Sequence, residues 1–251
     1  MKKGKNEEYF WLKEQNTKVM HQAIRQMLTA YDRFFKLHTG YPKFKSKKDI
    51  QSALFPIDAI SKKNIFEQRK ITLTKSLKDI KFRCSDLYLA RLKRYKDNIR
   101  GATISKTKSG KYFLSILLDI PQEAYVKFKK TDKSVGIDLG VKDFVITSDG
   151  KKFENKHFFK KEEKKLKKLQ RQLLRKVKGS NNRNKARIKL AKAFEHITNK
   201  KENYIHYVVN ELLSKYDIIY MEDLNVSGML KNHKLAKAIQ EVGFYKFKTI
   251  L

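Results

Sequence analysis

Ser134-Val135-Gly136-Ile137-Asp138-Leu139-Gly140 is the stretch on which the reading of this chain turns: an apolar strand with a carboxylate near its end. Phe144–Thr147, Ser148-Asp149-Gly150 and Lys151–Phe153 follow as strand, turn and strand. Asp217-Ile218-Ile219-Tyr220-Met221-Glu222-Asp223 repeats the arrangement later, as a short buried-type strand ending in two acids. Between them, Leu166, Leu169, Leu173 and Val177 recur at helical spacing, and Leu190, Phe194, Ile197, Tyr204, Val208 and Leu212 mark a second, longer helix. The segment Leu235–Leu251 reads as one amphipathic helix whose Phe247, Ile250 and Leu251 are left exposed. Strands and helices in this order predict an α/β domain over residues 134–251.

Toward the N-terminus the pattern changes twice. Val19, Ala23, Met27, Tyr31 and Phe34 place one apolar face on a helix, which Gly40-Tyr41-Pro42 ends. From 41 to 133 short strands are expected. Ile71–Thr74 and Ile80–Arg83 alternate with period two, and Ile99–Lys106 and Lys111–Ile120 flank a Thr107-Lys108-Ser109-Gly110 turn. Basic residues on the outward positions suit a small β-barrel or sheet with a cationic face, though solvated lysines would give the same pattern. Pro121 and Lys127–Lys133 read as a linker. The chain as a whole is therefore α+β.

Asp138 and Glu222 stand apart from the other acids. Each follows apolar β-formers, where a buried strand would emerge, and a carboxylate there is costly unless it is paired, hydrogen-bonded or metal-bound. Two such strands side by side would bring both carboxylates to one point, as a two-metal phosphodiester hydrolase requires for Mg2+ or Mn2+. The alternative is a turn acid at Asp138 and a strand cap at Glu222. A phosphate loop of the sugar-kinase or chaperone-ATPase kind fits poorly, because Val141-Lys142-Asp143-Phe144 lacks the small hydroxyl residues it needs. Asp143, Asp149 and Asp223 are the other candidate acids, with Asp149 read as a turn residue before Gly150.

Charge narrows the class of partner. The chain has 251 residues, 59 Lys or Arg against 26 Asp or Glu, a net charge of +33, and 40% hydrophobic residues. That composition supports a real core and calls for a polyanion. Residues 151–192 alone hold 18 Lys or Arg and three acids, which points to phosphate contact there, through Lys160, Lys164, Lys168, Arg171, Arg175, Arg183, Lys185, Arg187 and Lys189. One cysteine, Cys84, excludes an internal disulfide and a CxxC zinc site. The polar N-terminus lacks a signal-peptide core, and no apolar run could span a bilayer. A soluble, intracellular protein that faces nucleic acid and has no membrane partner is expected.

The blocks Gly136–Asp143, Leu166–Arg175 (LKKLQRQLLR) and Tyr216–Lys231 (YDIIYMEDLNVSGMLK) resemble the TnpB/OrfB proteins of bacterial insertion sequences, relatives of the type V CRISPR nucleases. Trp11-Leu12-Lys13, Tyr41–Ser46 and the hairpin Thr103–Ser115 resemble earlier parts of that family in the same order. The resemblance implies a helical recognition-lobe segment over 1–40 and a wedge-type β-barrel region over 41–133. Over 134–251 it implies an RNase H-like RuvC domain with a long basic helical insertion. It further implies RNA-guided, metal-dependent DNA cleavage as the family activity, guide RNA and double-stranded DNA as partners, and Asp138 and Glu222 as two catalytic, metal-binding carboxylates for Mg2+ or Mn2+.

Against the family pattern the chain reads as shortened at both ends. The third catalytic aspartate and the four-cysteine zinc ribbon have no counterpart, so no zinc is expected. Impaired cleavage, a nuclease-dead guided repressor, or complementation by a second polypeptide are the consequences to be weighed.

Overall fold

The computed structural model describes residues 16–46, 49, 51–61, 64–74, 77–122 and 130–251. Residues 1–15, with Trp11-Leu12-Lys13, and residues 123–129, with the start of the predicted linker, lie outside the described residues. The chain is a mixed α/β structure that divides into two compact units, Met1–Tyr125 and Val126–Leu251.

The first unit opens with helix α1, Thr17–Leu37. Asn16 caps it by accepting the Lys18 and Val19 N–H groups, and His38 ends it in the left-handed region at φ 48°. None of its residues is buried. Of the predicted apolar stripe, Val19 packs on the core, while Tyr31 and Phe34 meet Tyr41 edge-on. Strand β1 (Gln51–Pro56), the short helix α2 (Ile65–Gln68), β2 (Lys70–Ile71), β3 (Ile80–Lys81), helix α3 (Asp86–Arg94), β4 (Ile99–Lys106) and β5 (Tyr112–Leu118) follow. Gly110, at φ +88°, makes the predicted hairpin turn between β4 and β5.

The expected closed barrel is not what the strands build. Among the described residues they form a three-stranded antiparallel sheet, β1-β4-β5, and a separate two-stranded ribbon, β2-β3. β1 ends on Pro56, which has no N–H to offer a further strand and so belongs at an edge. The ribbon is short because Asp79 turns at φ 50° and donates its N–H to the Thr72 hydroxyl. A helix also stands in a region read as strands: Ser85 caps α3 by accepting the Tyr88 N–H. Phe55, Ile65, Ile71, Leu73, Leu92 and Ile99 form the core of this unit.

The second unit is a four-stranded sheet in the order β8-β7-β6-β9. Its strands are β6 (Ser134–Asp138), β7 (Asp143–Thr147), β8 (Lys152–Glu154) and β9 (Ile218–Met221). β6 is antiparallel to β7, as β7 is to β8, whereas β9 runs parallel to β6. Helices α4 (Phe158–Leu174) and α5 (Asn181–Leu213) form the long crossover that a parallel pairing requires. Val135, Ile137, Val145 and Phe153 from the sheet bury against Ile205, Val208, Val209 and Leu212 of α5.

The tail contradicts its reading as one helix. Gly243, at φ +82°, breaks it into α7 (His233–Val242) and α8 (Phe244–Ile250), after the short α6 (Val226–Met229). A Cβ at Gly243 would meet only the flexible end of the Lys201 side chain, so it is the positive φ that calls for glycine. Phe247, expected to be exposed, is fully buried against Phe144. Burying one aromatic side chain of this size is worth roughly 2–3 kcal/mol, so α8 belongs to the core.

Candidate functional site

The parallel pairing of β6 with β9 decides where the two acids meet. Ser134 lies opposite Ile218, Val135 opposite Ile219, Gly136 opposite Tyr220 and Ile137 opposite Met221. One residue beyond the last pair come Asp138 and Glu222. Neighbouring strand backbones lie about 5 Å apart, so the two carboxylates leave the same end of adjacent strands. Both residues are exposed rather than buried, which differs from the expectation of costly buried carboxylates. Neither side chain has a hydrogen-bond or ion-pair partner among the described residues. Two unpaired acids side by side repel each other, and a hard cation relieves that repulsion.

The backbone around them is held closely. After Asp138 the chain doubles back, and a Cβ on Gly140 would lie 2.7 Å from the Asp143 carbonyl oxygen. Asn155 Nδ2 donates to the Val141 carbonyl at 2.8 Å and ties this turn to the residues after β8. On the other strand, Asp223 is taken by an ion pair with Lys248 of α8, which holds its carboxyl below the ordinary range. Asn225 caps α6 through the Gly228 N–H. Glu222 is thus flanked by an acid already engaged and a loop already capped.

Asp149 has a different role. It accepts hydrogen bonds from the Thr147 and Tyr216 hydroxyls, and these lower its carboxyl to about 2. It sits in the turn between β7 and β8, whose Ser148 N–H bonds the Gly136 carbonyl. Gly150 completes that turn at φ +87°. Asp143 opens β7, half-buried. Among the described residues no three His, Cys, Asp or Glu side chains come together as a metal site.

The predicted phosphate contacts fall into two groups. Lys160, Lys164, Lys168, Arg171 and Arg175 follow one another at spacings of three or four along α4, hence on one face, and all are exposed. None of the five side chains has an acid partner among the described residues, nor do those of Lys185 and Lys189 on α5. Arg183 and Arg187 are engaged within the protein. Arg183 Nη1 donates to the Leu173 and Lys176 carbonyls at 3.1 and 2.8 Å, closing the end of α4, and Arg187 bonds Asn184.

Three residues, Glu241, Glu163 and Lys201, make links that the reading of the sequence did not include. Glu241 of α7 accepts the Lys160 N–H at 3.0 Å, capping the N-terminus of α4, and lies 3.8 Å from His157 Nδ1. Glu163 is paired with both Lys237 and Lys167, which hold its carboxyl at about 2. Lys201 Nζ donates to the Gln240 carbonyl, and its burial lowers its pKa. Together they fasten α7 to the basic helices. Glu163–Lys167 was readable as an i, i+4 pair. The links across 39 to 81 residues of sequence carry no local signal.

The comparisons with known proteins bear on this unit. The OrfB/IS605 family model, described as a "probable transposase", matches residues 115–233, from β5 through both acid-bearing strands. Over that stretch the chain is similar to the OrfB/IS605 family. The chain is also 32% identical over 253 aligned residues to a "putative RNA-guided DNA endonuclease" of Streptomyces pristinaespiralis, covering 98% of this chain and 59% of that protein. It is 31% identical over 222 residues to the "putative RNA-guided DNA endonuclease InsQ" of Escherichia coli K12, covering 88% of this chain and 52% of that one. The chain thus spans little more than half the length of these curated relatives. Among the described residues no helix is long and apolar enough to cross a membrane.

Proposed function

We propose that this chain is an RNA-guided DNA-binding protein carrying an incomplete metal-dependent nuclease site. The observation that carries the reading is the β6–β9 register, which sets two unpartnered, exposed carboxylates side by side in a chain of +33 net charge. Support for an RNase H-like RuvC arrangement in the second unit comes from its three antiparallel strands followed by a parallel fourth beside the first. On this reading α4 and α5 are the basic helical insertion, the first-unit sheets are the wedge-type region, and α1 belongs to the recognition segment. The partners are a guide RNA and a double-stranded DNA target, and the place of action is the prokaryotic nucleoid.

Asp138 and Glu222 are the residues that would hold Mg2+ or Mn2+. They fit as hard oxygen donors at one strand end, free of internal partners. Such an ion, when bound, activates water and neutralises charge on a phosphodiester. The protein's own part is positioning. The Gly140 turn and the Lys248–Asp223 pair fix the two strand ends, and the α4 stripe holds backbone phosphates without reading sequence. Base pairing supplies the sequence, and the protein the channel.

With two carboxylates and no third acid brought to them among the described residues, cleavage by this chain alone is weak. The same observation favours a second reading, a guided repressor that binds without cutting. A complementing polypeptide that supplies further ligands would restore cutting. Incubation of the guide-loaded chain with matched DNA in Mg2+ tests this. Tight binding with slow cleavage that Asp138→Ala abolishes fits the first reading; tight binding with no cleavage fits the second. Rapid cleavage insensitive to Asp138→Ala contradicts both.

A further inference from the structure

The first unit contains a cleft that the carboxylate site does not use, between α3, the β2-β3 ribbon and β5. It has a volume of about 750 Å3, within the usual range for a small-ligand site. Its floor is apolar, with Ile71 and Leu92 buried and Phe82, Leu114 and Ile116 half-buried. Its rim is aromatic and cationic. Tyr88 is 66% exposed and Phe113 51% exposed, and Lys81, Arg83 and Arg91 stand beside them. Among the described residues no acid lines the cleft, and none of these three cations has an ion-pair partner.

We propose that this cleft takes unpaired bases of a single-stranded nucleic acid. Tyr88 and Phe113 offer ring faces for stacking, and Lys81, Arg83 and Arg91 offer charge to the adjoining phosphates. The inference rests on the nucleic-acid reading above and adds an interaction of different character in the other unit. The α4 stripe presents charge alone, which a duplex satisfies as well as a single strand. An apolar cleft with exposed rings rewards only bases whose faces are free, because pairing and stacking hide them in a duplex. An extended peptide would value the same floor, but a rim of three cations with no acid beside them among the described residues favours a polyanion.

Cys84, the only cysteine of the chain, lines this cleft half-buried and reports its occupancy without any engineered label. The experiment follows N-ethylmaleimide alkylation of Cys84 in the full chain. The probes are a mixed-sequence single-stranded RNA, the same sequence as single-stranded DNA, and the corresponding blunt duplex. At ten times its Kd, each protecting single strand slows alkylation roughly ten-fold, because only the unbound fraction reacts. The duplex, at equal occupancy, leaves the rate of the free protein. Protection by RNA alone assigns the cleft to the guide, and by DNA alone to a displaced strand; either supports the proposal. Tyr88→Ala with Arg91→Ala, both at exposed positions, weakens single-strand binding by about ten-fold or more while duplex affinity holds.

Single strands that bind while Cys84 reacts freely would overturn the cleft and leave the nucleic-acid reading intact. Equal protection by the duplex, or protection by an uncharged peptide alone, would also overturn it. Failure of every oligonucleotide to bind would end both readings.

Discussion

Asp138 and Gly140 are two residues apart and should respond to substitution in opposite ways. Asp138 is exposed without a partner, so Asp138→Asn leaves unfolding within about 0.5 kcal/mol of the parent; the effect belongs to the metal. Mn2+ binding followed by its electron paramagnetic resonance signal should weaken in Asp138→Asn and in Glu222→Gln alike. Gly140→Ala inserts a Cβ against the Asp143 carbonyl and should cost about 1–3 kcal/mol in denaturant unfolding. Asp149 makes a third contrast. Hydrogen bonds from Thr147, then Tyr216, lower its carboxyl from 3.8 to about 2. Its contribution to stability is therefore complete above about pH 4 and is lost as the pH falls through about 2. An acid titration of Asp149→Asn should lack that component of the decline.

At the scale of elements, periodicity and turn chemistry made much of the fold legible. Val135 and Ile137, then Ile218 to Met221, identify the two acid-bearing strands, and the 107–110 turn identifies its hairpin. What escaped has physical reasons. Helix α3 buries only Leu92 and exposes Leu87 and Tyr88, so it shows no apolar stripe, and Ser85 was its one signal. The break at Gly243 was hidden because the apolar spacing continues through it into Phe247. Register, the feature that sets Asp138 beside Glu222, is a long-range property, and the sequence could only make it plausible. The exposure of both acids was misjudged because a strand end can open to solvent while the residues before it are buried. The closure of α4 by Arg183 also had no sequence signature. Arg183→Ala removes two charge-assisted bonds to carbonyls and should destabilise the α4–α5 turn by about 1–2 kcal/mol, seen as faster local amide exchange at 173–183. Neutralising Lys160, Lys164, Lys168 and Arg171 together should instead leave stability alone. It should make the log-affinity for nucleic acid less steep in log salt, by close to 0.9 for each phosphate that is no longer neutralised.

Over the whole molecule, the net charge of +33 and the two-unit division frame the function. Charge this large opposes compaction, and a polyanion that neutralises it should raise the unfolding temperature, with the gain shrinking as salt is added. The two units bring different chemistry to that partner: a paired-acid strand end with a cationic helix stripe in the second, an aromatic and cationic cleft in the first. Similarity to the two curated relatives spans nearly all of this chain but little more than half of theirs, so guided recognition and cleavage have to be measured on this chain. The most direct measurement loads the chain with RNA transcribed from the DNA flanking its gene. It then compares binding of guide-matched and mismatched duplexes in Mg2+. The account predicts retention of matched DNA, release of mismatched DNA, and at most slow cleavage that disappears in Asp138→Ala. Equal binding of both duplexes, or rapid cleavage that survives Asp138→Ala, would contradict it.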